Sequence, residues 1–292
     1  MIEGILQYEF LRNSFLTGMI VGVIAPLLGA FIVVRRLSLI ADALSHVTLA
    51  GIAANLLLAK RFAFFAGISP LYMGTLFSVG GALLIEKLRG QYKHFQELSI
   101  PVIMSGGVAL GVIFISLADG FNTDLFSYLF GSVSAVSRMD LYLIIFISIV
   151  VIAVVFALYK ELFALSFDEE HAKASGLQVK GIHFIFIFLV ALVISASMRI
   201  VGILLVSSLM TLPVAASIRI AKGFKQTIFL SIIFGEMSVL GGLTVSYHLD
   251  LAPGGTIVML AVLILVLTNF YKKFLLVRAD KGEKSIDGNG GA

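Results

Sequence analysis

The sequence predicts an all-α, polytopic inner-membrane helical bundle, and three observations carry that prediction. Hydrophobic residues make up 59% of the 292 residues and charged residues 13%, with a mean hydropathy of +1.06, outside the range of ordinary soluble domains. Apolar runs of roughly 20 residues, the length a helix needs to cross a bilayer core of about 30 Å, recur along the whole chain. These runs are too long for outer-membrane strands and lack their period-two alternation, so the spans are helices.

Taken in order, the expected spans are residues 14–34, 38–59, 62–85, 99–118, 140–160, 181–198, 200–218, 227–247 and 254–276, about nine in all. Pro26 and Pro213 fall inside the first and seventh and should kink them. The sixth and seventh are nearly fused, and a shorter apolar stretch at 124–136 suits a re-entrant half-helix, so the expectation covers eight to ten. Residues 1–278 form one membrane domain. The tail at 279–292, charged and Gly-rich with nothing to bury, reads as a disordered cytoplasmic end.

Lys and Arg near span ends favour the cytoplasmic side. If loops after odd-numbered spans are inside, sixteen of the 21 basic residues lie there, including Arg35, Arg36, Arg89, Lys93 and Lys180; Arg12, Lys60, Arg61, Arg138 and Arg199 are left outside. That asymmetry favours an odd number of spans with the N-terminus outside. It also accounts for the net charge of +4 without a nucleic-acid partner, so the lipid bilayer is the expected surrounding and nucleic acid is not. The start of the chain carries Glu3 and Glu9 rather than the basic region of a cleaved signal, so the first span is expected to be retained. With no cysteine, disulfides and thiolate metal sites are excluded, and any metal chemistry must use nitrogen and oxygen ligands.

An ionisable group inside a span is costly unless paired, protonated or hydrated. The exceptions that stand out are Asp42 and His46 in the second span and Glu236 in the eighth. Asp42 and His46 are four residues apart, one helical turn on one face, where both can reach a single ion. Carboxylate plus imidazole suits divalent transition metals; the alternative is a structural pair that holds helices together. From Arg36, ten residues at about 1.5 Å each place His46 roughly 15 Å into the membrane, near its midplane. Glu236 falls at a similar depth, where a lone acid is as well explained by a proton or by a hydrogen bond to a neighbouring helix.

Two loops complete the candidates. The segment SFDEEHAKASGL, residues 166–177, reads as a short amphipathic helix with Asp168 as N-cap, Glu169 and Glu170 in the first turn and Gly176 as the stop. His171 within it reads as a solvated helix residue rather than a ligand. The outer loop SYHLDLAPGGTIV offers His248 and Asp250 as an entry or docking surface, and ordinary loop polarity explains them about as well.

With these residues in view, the chain resembles the integral-membrane permease family of bacterial ABC importers for zinc, manganese and related metal ions. FIVVRRLSLIADALSHVTLAGIA resembles that family's most specific element, an Arg-Arg-hydrophobic-Ser run leading into Asp-x-x-x-His. FSYLFGSVSAVSRMDL, SFDEEHAKASGL, VGILLVSSLMTLPVAAS and SYHLDLAPGGTIVML resemble its later segments in order, so the likeness spans about residues 10–276. Ala252-Pro253-Gly254 departs from the family's usual Pro-Ser-Gly or Pro-Ala-Gly.

The resemblance implies a homodimer of permeases, two cytoplasmic ABC ATPase subunits and an extracytoplasmic solute-binding protein. It makes Asp42 and His46 the intramembrane metal site, and Phe167, Asp168, Glu169, Glu170, Ala172 and Gly176 the contact with the ATPase. No cofactor is expected to stay bound; the metal ion is cargo. DALSHVTLAG is closer in wording to the zinc branch, with manganese or iron as the alternative. The chain has no Gly-x-x-x-x-Gly-Lys-Ser/Thr phosphate loop, so it is expected to be no enzyme and to draw on a partner's ATP hydrolysis. A proton-coupled secondary metal transporter is the rival class; an intramembrane metalloenzyme lacks the ligand set it would need.

Overall fold

The computed structural model describes residues 8–287 except 93, 94, 119, 121 and 122; of residues 123, 124, 204 and 274–287 it describes the backbone alone. Lys93 and residues 288–292, which entered the charge and tail arguments, lie outside the described residues. The elements are helices: α1 (Glu9–Val34), α2 (Leu39–Arg61), the short α3 (Ala63–Ala66), α4 (Pro70–Gln91), α5 (Ser99–Leu117), α6 (Thr123–Phe130), α7 (Arg138–Ala157), α8 (Tyr159–Phe167), α9 (Glu169–Ala174), α10 (Val179–Val201), α11 (Ile203–Ile220), α12 (Phe224–Leu249) and α13 (Pro253–Asp287). No strand occurs among the described residues.

Eight of these are long and apolar enough to cross a membrane, and α11, an apolar helix of 18 residues, lies between two of them. Together they match the nine expected spans in order, with shifted boundaries. The third starts at Pro70 rather than residue 62, because Pro70 occupies the first helical turn, where its missing N–H is harmless. The stretch before it folds as the separate α3. The fifth ends at Ala157, with α8 following after Leu158. The stretch at 124–136 is the single short helix α6 and a 3-10 turn at Val133–Ala135, broken at Gly131 with φ +79°. The backbone of α13 stays helical through the expected tail as far as Asp287.

Burial divides the spans into two classes. In α1, α2 and α10 the central windows are 67, 72 and 67% buried, against 28–33% in α4, α5, α7, α12 and α13. The first group forms the middle of the bundle. The second is peripheral, and Phe146, Ile149, Ile152 and Phe156 on α7 stand exposed at helical spacing where lipid would cover them. The helix α2 packs chiefly against α4 and α5 and also crosses α10 and α11; α12 packs against α1, α11 and α13.

The end of the bundle bearing Arg35 and Arg36 is the inner one by the distribution of basic residues. At the outer end three glycines bring backbones into direct contact. A Cβ at Gly131 would stand 2.0 Å from the Ile200 carbonyl oxygen, one at Gly202 2.4 Å from that of Leu129, and one at Gly254 1.9 Å from that of Val201. Gly202, with φ +83°, is the whole connection between α10 and α11, and Pro253 beside Gly254 starts α13. Around this junction Arg199 donates to Asp140 Oδ2 at 2.6 Å, the Ala135 carbonyl at 3.1 Å and the Tyr128 hydroxyl at 3.3 Å. Asp140 also closes a capping box with Ser137 at the start of α7.

Candidate metal site

Asp42 and His46 are the fourth and eighth of the 23 residues of α2, one turn apart and both partly buried. Asp42 sits near the inner end of that helix, and His46 lies between that end and the helix centre. Their helix is the most buried of the spans, so the pair is presented inside the bundle rather than to lipid.

Sequence reasoning missed the group that touches this pair. Ser207, the fifth residue of α11, donates from its hydroxyl to Asp42 Oδ1 at 3.0 Å. One turn further, Thr211 donates to the Ser207 carbonyl at 3.0 Å, so α11 turns a short polar stripe toward α2. The available signal was Ser207, Ser208 and Thr211 together in an apolar run, but hydroxyls in spans commonly bond their own helix. Ser45 does just that, donating to the Ala41 carbonyl at 2.8 Å. Ser207 instead reaches another helix and fixes one carboxylate oxygen of Asp42, the kind of outer hydrogen bond that orients a ligating carboxylate.

Glu236 lies elsewhere. It is the thirteenth residue of α12, and its carboxyl lies over α1, where a Cβ on Gly22 would be 2.8 Å from Oε1. That oxygen is buried and has no hydrogen-bond partner. Among the described residues no three His, Asp or Glu side chains gather into a group that could hold a metal ion, so one chain brings Asp42 and His46 together and leaves Glu236 apart from them.

The loop candidates divide similarly. Asp168 caps α9, accepting from the His171 amide at 2.8 Å, and Gly176 follows it with φ +80°. Phe167, Asp168, Glu170 and Gly176 are exposed, as is His171, and Glu169 is half-buried. Ala172 is 1% exposed and belongs to the chain's own core, so it faces inward and offers no surface, because the single buried face of so short a helix must anchor it. Phe167 packs on Phe163 and Phe224 with ring centroids 4.7 Å apart for the first pair and 5.7 Å for the second. On the outer side His248 and Asp250 are both exposed, and Asp250, at φ 52°, is the left-handed cap of α12. Asp250 lines a shallow cleft of about 310 Å³ with Ser132, Ser134 and Ser246; His248 packs on Tyr247 outside its lining.

The fold and this site define a multi-pass helical membrane protein with a carboxylate–imidazole pair held within the bundle. The family model of the ABC 3 transport family matches residues 7–272. A relative from Treponema pallidum named "Probable metal transport system membrane protein" is 35% identical over 90% of this chain and 95% of its own length. The "Manganese transport system membrane protein MntC" of Listeria monocytogenes is 35% identical over 90% of this chain and 91% of its own. Among solved structures, PsaBC from Streptococcus pneumoniae in complex with Fab matches with a TM-score of 0.81 and 30% identity, over 95% of this chain and 98% of that one. The chain belongs to the ABC 3 transport family, and it is a multi-pass cell-membrane protein of that family.

Proposed function

We propose that this chain is the permease of an ABC importer that carries divalent manganese into the cytoplasm, with Asp42 and His46 as the ion's ligands inside the membrane. The observation that carries the reading is the placement of the two side chains one turn apart in the central helix α2, with Ser207 of α11 on Asp42 Oδ1. Manganese replaces the zinc that the wording of DALSHVTLAG favoured. That wording is no measure of ligand chemistry, whereas Asp42 supplies a hard carboxylate oxygen that suits manganese, and a relative covering most of the chain is named for it. Energy comes from two ATPase subunits that dock on the exposed residues Phe167, Asp168, Glu170 and Gly176. A second copy of the permease and an extracytoplasmic binding protein complete the assembly, the latter docking near Asp250. Among the described residues no third acid or imidazole joins Asp42 and His46, so further ligands come from other groups.

The test is uptake of radioactive manganese, with zinc and iron as competitors, in cells lacking their own importers and supplied with this permease and its partner subunits. Asp42→Ala and His46→Ala should each lower uptake by at least about 100-fold, and Ser207→Ala by about tenfold, with the protein still in the membrane. Normal uptake by both ligand variants sinks the site. Zinc uptake that manganese does not compete with sinks the choice of metal.

A further inference from the structure

At the inner end, a chain of charged and polar side chains runs from α9 to the foot of the metal-bearing helix. Glu169 on α9, held by Lys173 at 2.8 Å, lies 3.9 Å from Arg89 of α4. Arg89 lies 3.9 Å from Glu86, one turn earlier on α4. Glu86 Oε2 is 3.4 Å from His183 Nε2 on α10, and His183 Nδ1 is 3.1 Å from Arg35 Nη2. Arg35 begins the four-residue turn between α1 and α2, bonded back to Phe31, and the next residue, Arg36, holds φ 57°. Asp42 follows on the first turn of α2.

We propose that His183 is a positioning residue at the centre of a relay, Glu169–Arg89–Glu86–His183–Arg35, by which movement of α9 resets the inner end of α2 and hence the Asp42–His46 pair. The inference rests on the function proposed above. His183 is 3% exposed; its Nδ1 meets Arg35, and its Nε2 stands 3.4 Å from Glu86. Arg35 can only donate, so Nδ1 accepts and the ring proton sits on Nε2, facing the Glu86 carboxylate. Burial first, and the charge of Arg89 second, lower Arg35 to about 10, which leaves it charged at neutral pH.

The contacts are near closure without reaching it. Arg35 Nη1, Glu86 Oε2 and His183 Nε2 are all buried without a hydrogen-bond partner. Unsatisfied groups of this kind are costly, and a shift of a few tenths of an ångström between α4 and α10 would bond the last two to each other. Two arrangements of one network that differ in satisfied hydrogen bonds give an equilibrium that a docked partner can bias.

The permease and its ATPase subunits are reconstituted in liposomes, and ATP hydrolysis, manganese uptake and equilibrium manganese binding are measured on the same preparations. His183→Leu should raise the ATP hydrolysed per manganese ion moved by about tenfold, with manganese affinity and basal hydrolysis unchanged. Arg35→Gln should do the same, and the double variant should be no worse than either alone. His183→Asn, which keeps an acceptor for Arg35, should recover part of the coupling. If His183→Leu does not reach the membrane, Glu86→Gln carries the same measurement. A wild-type ATP-to-ion ratio in any folded variant, or additive losses in the double variant, overturns the relay. Absence of manganese uptake by the wild-type complex would count against the proposed function instead, and the two failures are thereby distinguished.

Discussion

The two ends of the bundle are built from similar residues in different ways. At the outer end Arg199 reaches Asp140 at 2.6 Å, and three glycines let backbones touch where no side chain fits. At the inner end Arg89 stands 3.9 Å from both Glu86 and Glu169, and three buried polar atoms go unbonded. Short contacts already made have one good arrangement, because any displacement loses those bonds, even though Arg199 Nε is itself buried without a partner. Long, unsaturated contacts have little to lose and something to gain by moving. The outer junction is therefore a fixed point, and the inner network is the part of the fold in which two packings can compete.

The largest expected effect breaks the outer junction. Gly254→Ala places a methyl group 1.9 Å from the Val201 carbonyl oxygen, and Gly202→Ala adds a backbone at φ +83°; each should destabilise by about 3 kcal/mol or more, read as loss of membrane yield and of the thermal transition in detergent. Arg199→Ala comes next. It leaves the Asp140 charge, whose side chain is 16% exposed, with only its Ser137 capping bonds, and removing one partner of such a pair costs about 3 kcal/mol; Asp140→Asn added to it should restore part of the melting temperature. Arg89→Ala, by contrast, should cost only about 1 kcal/mol, since its carboxylate contacts are 3.9 Å long and its hydrogen bond, at 3.1 Å, goes to the neutral Gln96. An Arg89→Ala loss as large as that of Arg199→Ala would erase the difference between the two ends.

The smallest effect concerns Glu169. Burial works to raise its carboxyl, but the hydrogen bond and charge of Lys173, with Arg89 and Arg35, outweigh it and hold the group below 4.5. A lowered folded value contributes stability that is fully present above about 4.5 and fades as pH falls through the folded value. Hydrogen exchange of the α9 amides should therefore differ between the wild type and Glu169→Gln by a few tenths of a kcal/mol, typical of a helical i,i+4 pair. The difference should hold from about pH 7 to 5 and close toward pH 3. A difference that widened in acid would reverse the sign of this account.

The fold was largely legible in the sequence because a span needs only length and apolarity, and both are local properties. Boundaries were less so: Pro70 and Leu158 move helix ends by several residues through turn geometry that hydropathy ignores. The pair Asp42 and His46 was legible because two costly groups at i,i+4 stand out against an apolar run. Ser207 was not, since a serine in a span has a partner in its own backbone, and only the crossing of α2 by α11 redirects it. Glu236 looked equivalent to Asp42 by depth, yet depth says nothing about which helix a side chain faces, and it faces Gly22. His183 escaped notice because it falls near the end of its apolar run, where a polar side chain can reach the interface; the fold instead closes Arg35 and Glu86 around it, Arg35 lying in turn over the Phe186 ring.

The single-residue link at Gly202 also bears on how the chain is made. The run in α10 has 23 residues and a hydropathy of 2.6 and can partition into lipid unaided, whereas α11 has 18 residues and carries Ser207, Ser208 and Thr211. With one residue between them, α11 cannot linger in water after α10 has entered the bilayer. The two must leave the translocation machinery as one helical hairpin, the more apolar partner drawing in the more polar one. The serine that touches Asp42 is thus delivered to the membrane interior by its neighbour, and lengthening the link should let α11 be left behind during synthesis.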